Sequence, residues 1–212
     1  MIRSDIRTLV WDWLDDSAGG YFTATVVNMR INLALKELQK ALISANKQYY
    51  SKQVYTPLVA SQDAYALPSD FLQVIRLEYV VSGSGNTAVT SSIAPATPNM
   101  RDQFNQTTGD PQFYTFDKNN IVIQPVPKGT QQLRLTYSYL VADMTSDSDT
   151  PDAPAQFQEY IAVLATRDCF LKDGRSLAPI ESKMAEYRMV MKQIADQRNV
   201  DRPRMVVQTG GW

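Results

Sequence analysis

The residues best suited by type and spacing to chemistry are carboxylates: Asp143, Asp147, Asp149 and Asp152 crowd into one short segment. Hard cations draw several carboxylate and carbonyl oxygens from such a loop. Asp147-Ser148-Asp149 is not followed by the further acid, turn glycine and closing glutamate of an EF-hand, so a solvated loop is expected. A second candidate, Gly83-Ser84-Gly85-Asn86-Thr87-Ala88, follows a predicted strand with the spacing of a dinucleotide-binding turn. That turn holds pyrophosphate at the N-terminus of a helix that follows immediately. Val89 to Asn99 is rich in Ser and Thr and contains Pro95 and Pro98, which predicts a strand connection instead. Asn105-Gln106-Thr107 fits a glycosylation acceptor, but no secretory signal accompanies it. Paired carboxylates for glycoside hydrolysis are defined by their separation in space, and none here has a motif around it.

Histidine is the larger exclusion. The chain contains none, which removes the commonest general base, the usual partner of a Ser or Cys nucleophile and the most frequent zinc ligand. The single cysteine, Cys169, cannot form an intrachain disulfide and sits in an apolar helical stretch as a small buried hydrophobe. No catalytic residue, metal site or cofactor is expected. Over 212 residues, 21 Lys+Arg against 22 Asp+Glu leave a net charge of -1, and 44% of residues are hydrophobic. These are the proportions of an ordinary globular chain with enough length to bury about 70–75% of its unfolded surface. Tight, sequence-specific DNA binding would need a basic patch, and the densest basic stretch is Arg198, Arg202 and Arg204. Asp5, Asp12, Asp15 and Asp16 interrupt the N-terminal apolar residues where a signal peptide needs an unbroken run. No window approaches the roughly 18 apolar residues of a membrane span. A protein that stays in a cytosol, or leaves it inside a larger particle, is expected.

The elements follow from periodicity. Ile2, Ile6, Leu9, Val10 and Trp13 predict a short amphipathic helix over 2–14 that ends near Ser17-Ala18-Gly19-Gly20. Val26, Val27, Arg30, Ile31, Ala34, Leu35, Leu38, Ala41, Leu42 and Ala45 predict a longer one over 25–49, with Thr23 or Thr25 as N-cap. Its opposite face carries Asn32, Lys36, Gln39, Lys40 and Asn46, the composition of a solvated face. From residue 53 to 142 the period drops to two, which marks β structure. Tyr55 to Val59 and Ala64 to Leu67 flank a turn at Ser61-Gln62-Asp63, and Phe71, Ile75, Leu77, Tyr79 and Val81 alternate with mostly polar neighbours. Phe113 to Phe116 and Ile121 to Gln124 bracket Asp117-Lys118-Asn119-Asn120, whose Asn pair suits a turn needing positive φ. Leu133, Leu135, Tyr137 and Tyr139 face one way and Gln132, Arg134, Thr136 and Ser138 the other, one side buried and one wet.

After an acidic loop, Pro154 can start a third helix and Gly174 stop it, with Phe157, Tyr160, Ile161, Leu164 and Ala165 on its inner face. Pro179 opens a fourth, where Ile180, Met184, Tyr187, Met191 and Ile194 form a narrow stripe. Such a seam suits either the intramolecular bundle core or a subunit contact, which Met-rich faces tolerate. The expected architecture is α+β: a helical bundle interrupted by a small antiparallel β region, with an extended C-terminal tail. Its parts are N-terminal helices over 1–50, the β region with its loops over 51–153, a helix pair over 154–198 and an arm over 199–212. In the arm, Arg202, Arg204, Met205, Val206, Val207 and Trp212 are candidate partner-binding residues, the aromatic as an anchor. A Gly-rich terminus with no period of its own is ordered only when something holds it.

The order of these elements resembles the head-to-tail adaptor, or connector, proteins of tailed bacteriophages. Tyr65-Ala66-Leu67-Pro68-Ser69-Asp70-Phe71 looks like the entry into their first long strand, and Gly109-Asp110-Pro111-Gln112-Phe113-Tyr114 like the turn and strand after their variable loop. Ile121-Val122-Ile123-Gln124-Pro125-Val126-Pro127 with Leu133-Arg134-Leu135-Thr136-Tyr137 is similar to their closing hairpin, and Pro151 to Pro154 precedes the helix pair as it does in them. The resemblance covers roughly residues 25–195. It implies a structural virion protein at the neck, made in the host bacterial cytoplasm and assembled as a ring, typically twelve-fold, of copies of itself. The implied partners are the portal protein, a tail protein and, transiently and without sequence preference, the passing DNA, with no membrane. A tail-tube terminator or minor tail protein is the near alternative. A carbohydrate- or small-ligand-binding module, stacking on Trp11, Trp13 and the tyrosines, is the alternative from another class.

Overall fold

Helical period and strand period segregate along the chain, and so do the units they build. A computed structural model describes residues 1–16, 19–83, 85–97, 100 and 107–199, with the backbone alone for 86 and 194–199. The chain divides into a helical unit, Met1–Asn46 with the segment from Val141 onward, and a β unit, Lys47–Leu140, inserted between them.

The helical unit contains α1 (Arg3–Leu14), α2 (Ala24–Ala45), α3 (Gln158–Asp173) and α4 (Ala178–Asn199). The Asp5 carboxylate caps α1 by accepting the Ile2 N–H at 3.0 Å, and the helix ends at Asp15, in the left-handed region at φ 54°. Asp16 then gathers the N–H groups of Gly20, Tyr21 and Phe22 at 2.9, 3.1 and 2.9 Å, which turns the chain toward α2. Gly19 is required in this turn: its φ is +62°, and a Cβ there would lie 2.8 Å from the Trp11 ring. Thr23 is the N-cap residue of α2, in extended conformation but without a side-chain cap bond. A short 3-10 turn, Ala155–Phe157, follows Pro154 and leads into α3, which Gly174 ends at φ 67°.

α3 is the central helix, packed by α1, α2 and α4. The sequence suggests one inner face for it, yet Tyr160 to Thr166 are buried without interruption, as in a helix surrounded on all sides. α2 also departs from expectation. Asn32 and Gln39 are covered, and Lys36 partly so, because the segment 141–144 runs along them. Asn32 Oδ1 accepts the Met144 N–H at 3.0 Å, Gln39 Oε1 the Val141 N–H at 3.3 Å, and Lys36 pairs with Asp143 at 2.7 Å. Amide side chains here supply partners for backbone that no ladder satisfies. The acidic loop therefore packs with the helices, although the sequence groups it with the β region.

The β unit holds two four-stranded sheets. One has the order β1 (Ser51–Pro57), β8 (Gln132–Tyr139), β3 (Phe71–Ser82), β4 (Val89–Ser92). The other runs β2 (Ala64–Ala66), β7 (Asn120–Gln124), β6 (Phe113–Asp117), β5 (Ala94–Pro95). Pairing is antiparallel except between β5 and β6. The core lies between the sheets and is built from Leu77, Tyr79, Leu133, Leu135 and Tyr137 on one side and Tyr65, Ile121 and Ile123 on the other.

Four details differ from the alternation read in the sequence. β1 and β2 do not pair with each other but enter different sheets. β3 shifts register between Val74 and Arg76 and again between Val80 and Ser82, so Val80 is buried while Val81 is 53% exposed. Such irregularities reverse which residues face the core. In the β6–β7 turn the positive φ, 52°, falls on Lys118 rather than on the Asn pair, and Asn120 is already paired with Asp117. Finally, the second side of β8 is not wet: Ser138 is buried, and Arg134 lies against buried Glu78.

Candidate assembly surfaces

Charged side chains in the helical unit converge on one another. Arg3 and Arg7, one turn apart on α1, both reach Asp147: Arg3 Nη2 donates at 2.8 Å, and Arg7 donates twice, at 2.7 and 2.8 Å. Arg3 also donates to the Met144 carbonyl at 2.7 Å. These contacts hold the Asp147 carboxyl far below the usual carboxylate range. Asp149 accepts the N–H groups of Thr145 and Ser146, both at 2.7 Å, which lowers its pKa as well. The acidic loop is thus solvent-exposed, as expected, and at the same time tethered to α1 and α2. Among the described residues no group of three His, Cys, Asp or Glu could hold a metal ion. On the neighbouring helices, Arg167 donates to both oxygens of Glu37 at 2.7 Å, which lowers the Glu37 pKa.

Ile180, Met184 and Met191 of the predicted stripe are buried, and Tyr187 stacks on Tyr160 with ring centroids 4.8 Å apart. Burial first, then its 2.9 Å hydrogen bond to Glu159, pushes the Tyr187 hydroxyl up to about 12. The stripe is occupied within the chain, because α4 lies along α3 on this side. Cys169 is fully buried, which raises its thiol to about 11. Trp11 donates its indole N–H to the Phe22 carbonyl at 2.8 Å with Arg7 over its ring, and Lys183 covers Trp13 at 4.7 Å. Neither indole is an open platform for a sugar. Arg202, Arg204, Met205, Val206, Val207 and Trp212 lie outside the described residues. No described helix is long and apolar enough to cross a membrane.

The β unit is less closed. A single 3-10 turn, Gly85–Thr87, precedes β4, the antiparallel partner of β3, so no α-helix N-terminus follows the glycines. Behind it, Glu78 accepts Arg134 at 2.6 Å, Thr90 at 2.8 Å and Arg76 at 2.7 Å, a network that lowers the Glu78 pKa, with Arg134 the largest cause. Asp70 accepts the Tyr137 hydroxyl at 2.9 Å and Lys52 at 2.7 Å. Phe71 stacks on Tyr137 at 5.8 Å and meets Phe116 at 5.9 Å.

Two cavities open beside this cluster. One, of about 450 Å³, is lined by Leu67, Phe71, Leu72, Val74, Phe116 and Lys118. The other, of about 290 Å³, reaches between the sheets and is lined by Val54, Thr56, Tyr65, Leu67, Leu133 and Leu135. Leu72 and Phe116 remain 47% and 50% exposed. Exposed apolar side chains around an open cavity suit the docking of another apolar segment. Sequence reading does not find these cavities, because their lining residues come from separate strands and loops.

A family model described as SU10 adaptor protein matches residues 1–208. No curated protein matches the sequence.

Proposed function

The chain belongs to the SU10 adaptor protein family, and from that membership we propose that copies of it form a ring that joins the capsid portal to the tail at the virion neck and lines the DNA channel. The family is one of phage structural proteins rather than enzymes. The match across residues 1–208 is the observation that carries the reading. Two features support it. A net charge of -1 suits a channel through which DNA slides, since dense positive charge would hold phosphates. The β unit, with its open cavities and with sheet edges that no strand covers among the described residues, offers surface that a neighbouring chain can complete.

The partners in this reading are the portal protein, copies of the same chain, a tail protein and passing DNA. The arm residues Arg202, Arg204, Met205, Val206, Val207 and Trp212 serve as docking groups. A ring requires contacts that repeat head to tail and close on themselves. Such contacts can be individually weak, because a template supplies the local concentration that offsets the entropy of association. Imaging the native particle tests the role: density for this chain between portal and tail is the expected result. Density at the far end of the tail tube or elsewhere overturns it.

A further inference from the structure

β1 is an edge strand, and its register identifies the backbone groups left over. Tyr139 N–H donates to the Tyr50 carbonyl at 3.1 Å and Leu58 N–H to the Gln131 carbonyl at 2.7 Å. Between them β1 and β8 stay in unbroken register from Ser51–Ser138 to Pro57–Gln132. Hydrogen bonding alternates along an antiparallel ladder, so Lys52, Val54 and Thr56 turn their backbone groups toward β8. Gln53 and Tyr55 turn theirs away, and Pro57, the next outward position, has no N–H. Among the described residues no strand pairs with this edge.

Natural edges are guarded by bulges, prolines and free lysines. Here Pro57 guards one end only, and β1 has no bulge against β8. Lys52 is engaged elsewhere, at 2.7 Å from Asp70 and 4.0 Å from the Tyr139 ring. The edge also adjoins the 290 Å³ cavity, whose lining includes Val54 and Thr56 of β1 itself. A strand added beside β1 would place every second side chain over the same opening.

We propose that the β1 edge and this cavity form an acceptor groove for Arg204–Thr209 of a second copy of the chain. The proposal rests on the ring reading above and names one of its contacts. Residues 200–212 lie outside the described structure and span up to about 45 Å when extended. Within them Arg204-Met205-Val206-Val207-Gln208-Thr209, set off by Pro203 and Gly210, carries the strand-forming residues Val206, Val207 and Thr209. Met205 and Val207 share one face of a strand and Val206 takes the other, so either register delivers an aliphatic group to the cavity. Main-chain bonds to Gln53 and Tyr55 supply affinity, and the filled cavity supplies specificity. An arm on one copy and an edge on the next make a heterologous contact that repeats around a ring, whereas β1 pairing with β1 would stop at a dimer.

The test is titration of a labelled peptide of residues 200–212 onto the full-length chain, read by fluorescence anisotropy and amide hydrogen exchange. Saturable binding is expected, with new protection at the Gln53 and Tyr55 amides. Gln53→Pro removes an outward N–H without touching the β8 ladder and should weaken binding at least tenfold, as should Thr56→Trp, which fills the cavity. Val206→Pro in the peptide, which leaves the folded chain untouched, should do the same. Failure to bind, equal binding of the Val206→Pro peptide, or protection confined to other segments overturns the groove. A ring seen in the particle without peptide binding removes the groove and leaves the adaptor role; a chain absent from the neck removes the role and leaves the measured binding in place.

Discussion

The two units satisfy their polar groups and fill their cores in different ways. In the helical unit Ile6, Val10, Val27, Ile31, Leu38 and Phe157 are wholly buried. The loop that closes the unit is held by Asn32, Gln39, Arg3 and Arg7, residues more than 100 positions away in sequence. The β unit has a core of aromatic and aliphatic side chains but two open cavities beside it, apolar groups at their mouths and an edge strand with outward amides. A closed unit keeps its shape alone. An open one keeps surface in reserve, and this division suits a protein of an adaptor family.

The sharpest way to break that contrast is at a tightly satisfied polar site of the β unit. Glu78→Ala strands Arg134, which is only 14% exposed, and should cost about 3–5 kcal/mol, the usual penalty for removing one partner of a buried pair. Denaturant unfolding followed by hydrogen exchange within Lys47–Leu140 measures it. The same site sets an acid limb. The Glu78 pKa is lowered by Arg134, so its stabilisation is complete above the unfolded value of about 4.3 and disappears as pH falls through the lower folded value. Glu78→Gln should flatten that limb, and an unchanged pH profile would refute the assignment.

Next in size is a matched pair of core truncations. Leu38→Ala in the helical unit should cost about 2–5 kcal/mol, toward the upper end because its surroundings are closed. Leu133→Ala should fall at the lower end, because Leu133 already faces the 290 Å³ cavity and has fewer contacts to lose. Equal costs would mean that the β core is as tightly packed as the helical one. Tryptophan fluorescence in a Trp212→Phe background reports the helical unit, since Trp11 and Trp13 lie there and Lys47–Leu140 contains no tryptophan. The smallest effect is expected at Asp147→Asn. Its carboxylate is half exposed and screened by solvent, so exchange in the 143–149 loop should quicken with little change in global unfolding. Its lowered pKa gives the same sign as Glu78, with stabilisation present at neutral pH and lost on acidification.

Much of the fold is legible locally. The start of α1, the end of α3 at Gly174, the β6–β7 hairpin and the buried side of β8 all follow from spacing and turn residues. Polar positions are where local reading fails. Gln39 and Asn32 look solvated because the segment that covers them lies a hundred residues downstream. Arg134 sits on the supposedly wet side of β8 because Glu78 on the neighbouring strand neutralises it. The stripe Ile180, Met184, Tyr187 and Met191 is visible as a stripe, but the sequence leaves open whether it faces this chain or another.

Side-chain periodicity and turn chemistry are properties of a few consecutive residues, and these determined which segments become helices and strands and in what order. Adjacency between distant segments decided the rest: which polar groups are covered, where β3 reverses its faces, and where the two sheets leave space between them. A void has no sequence period, because it is bounded by residues from Val54 to Leu135 that only the folded chain brings together.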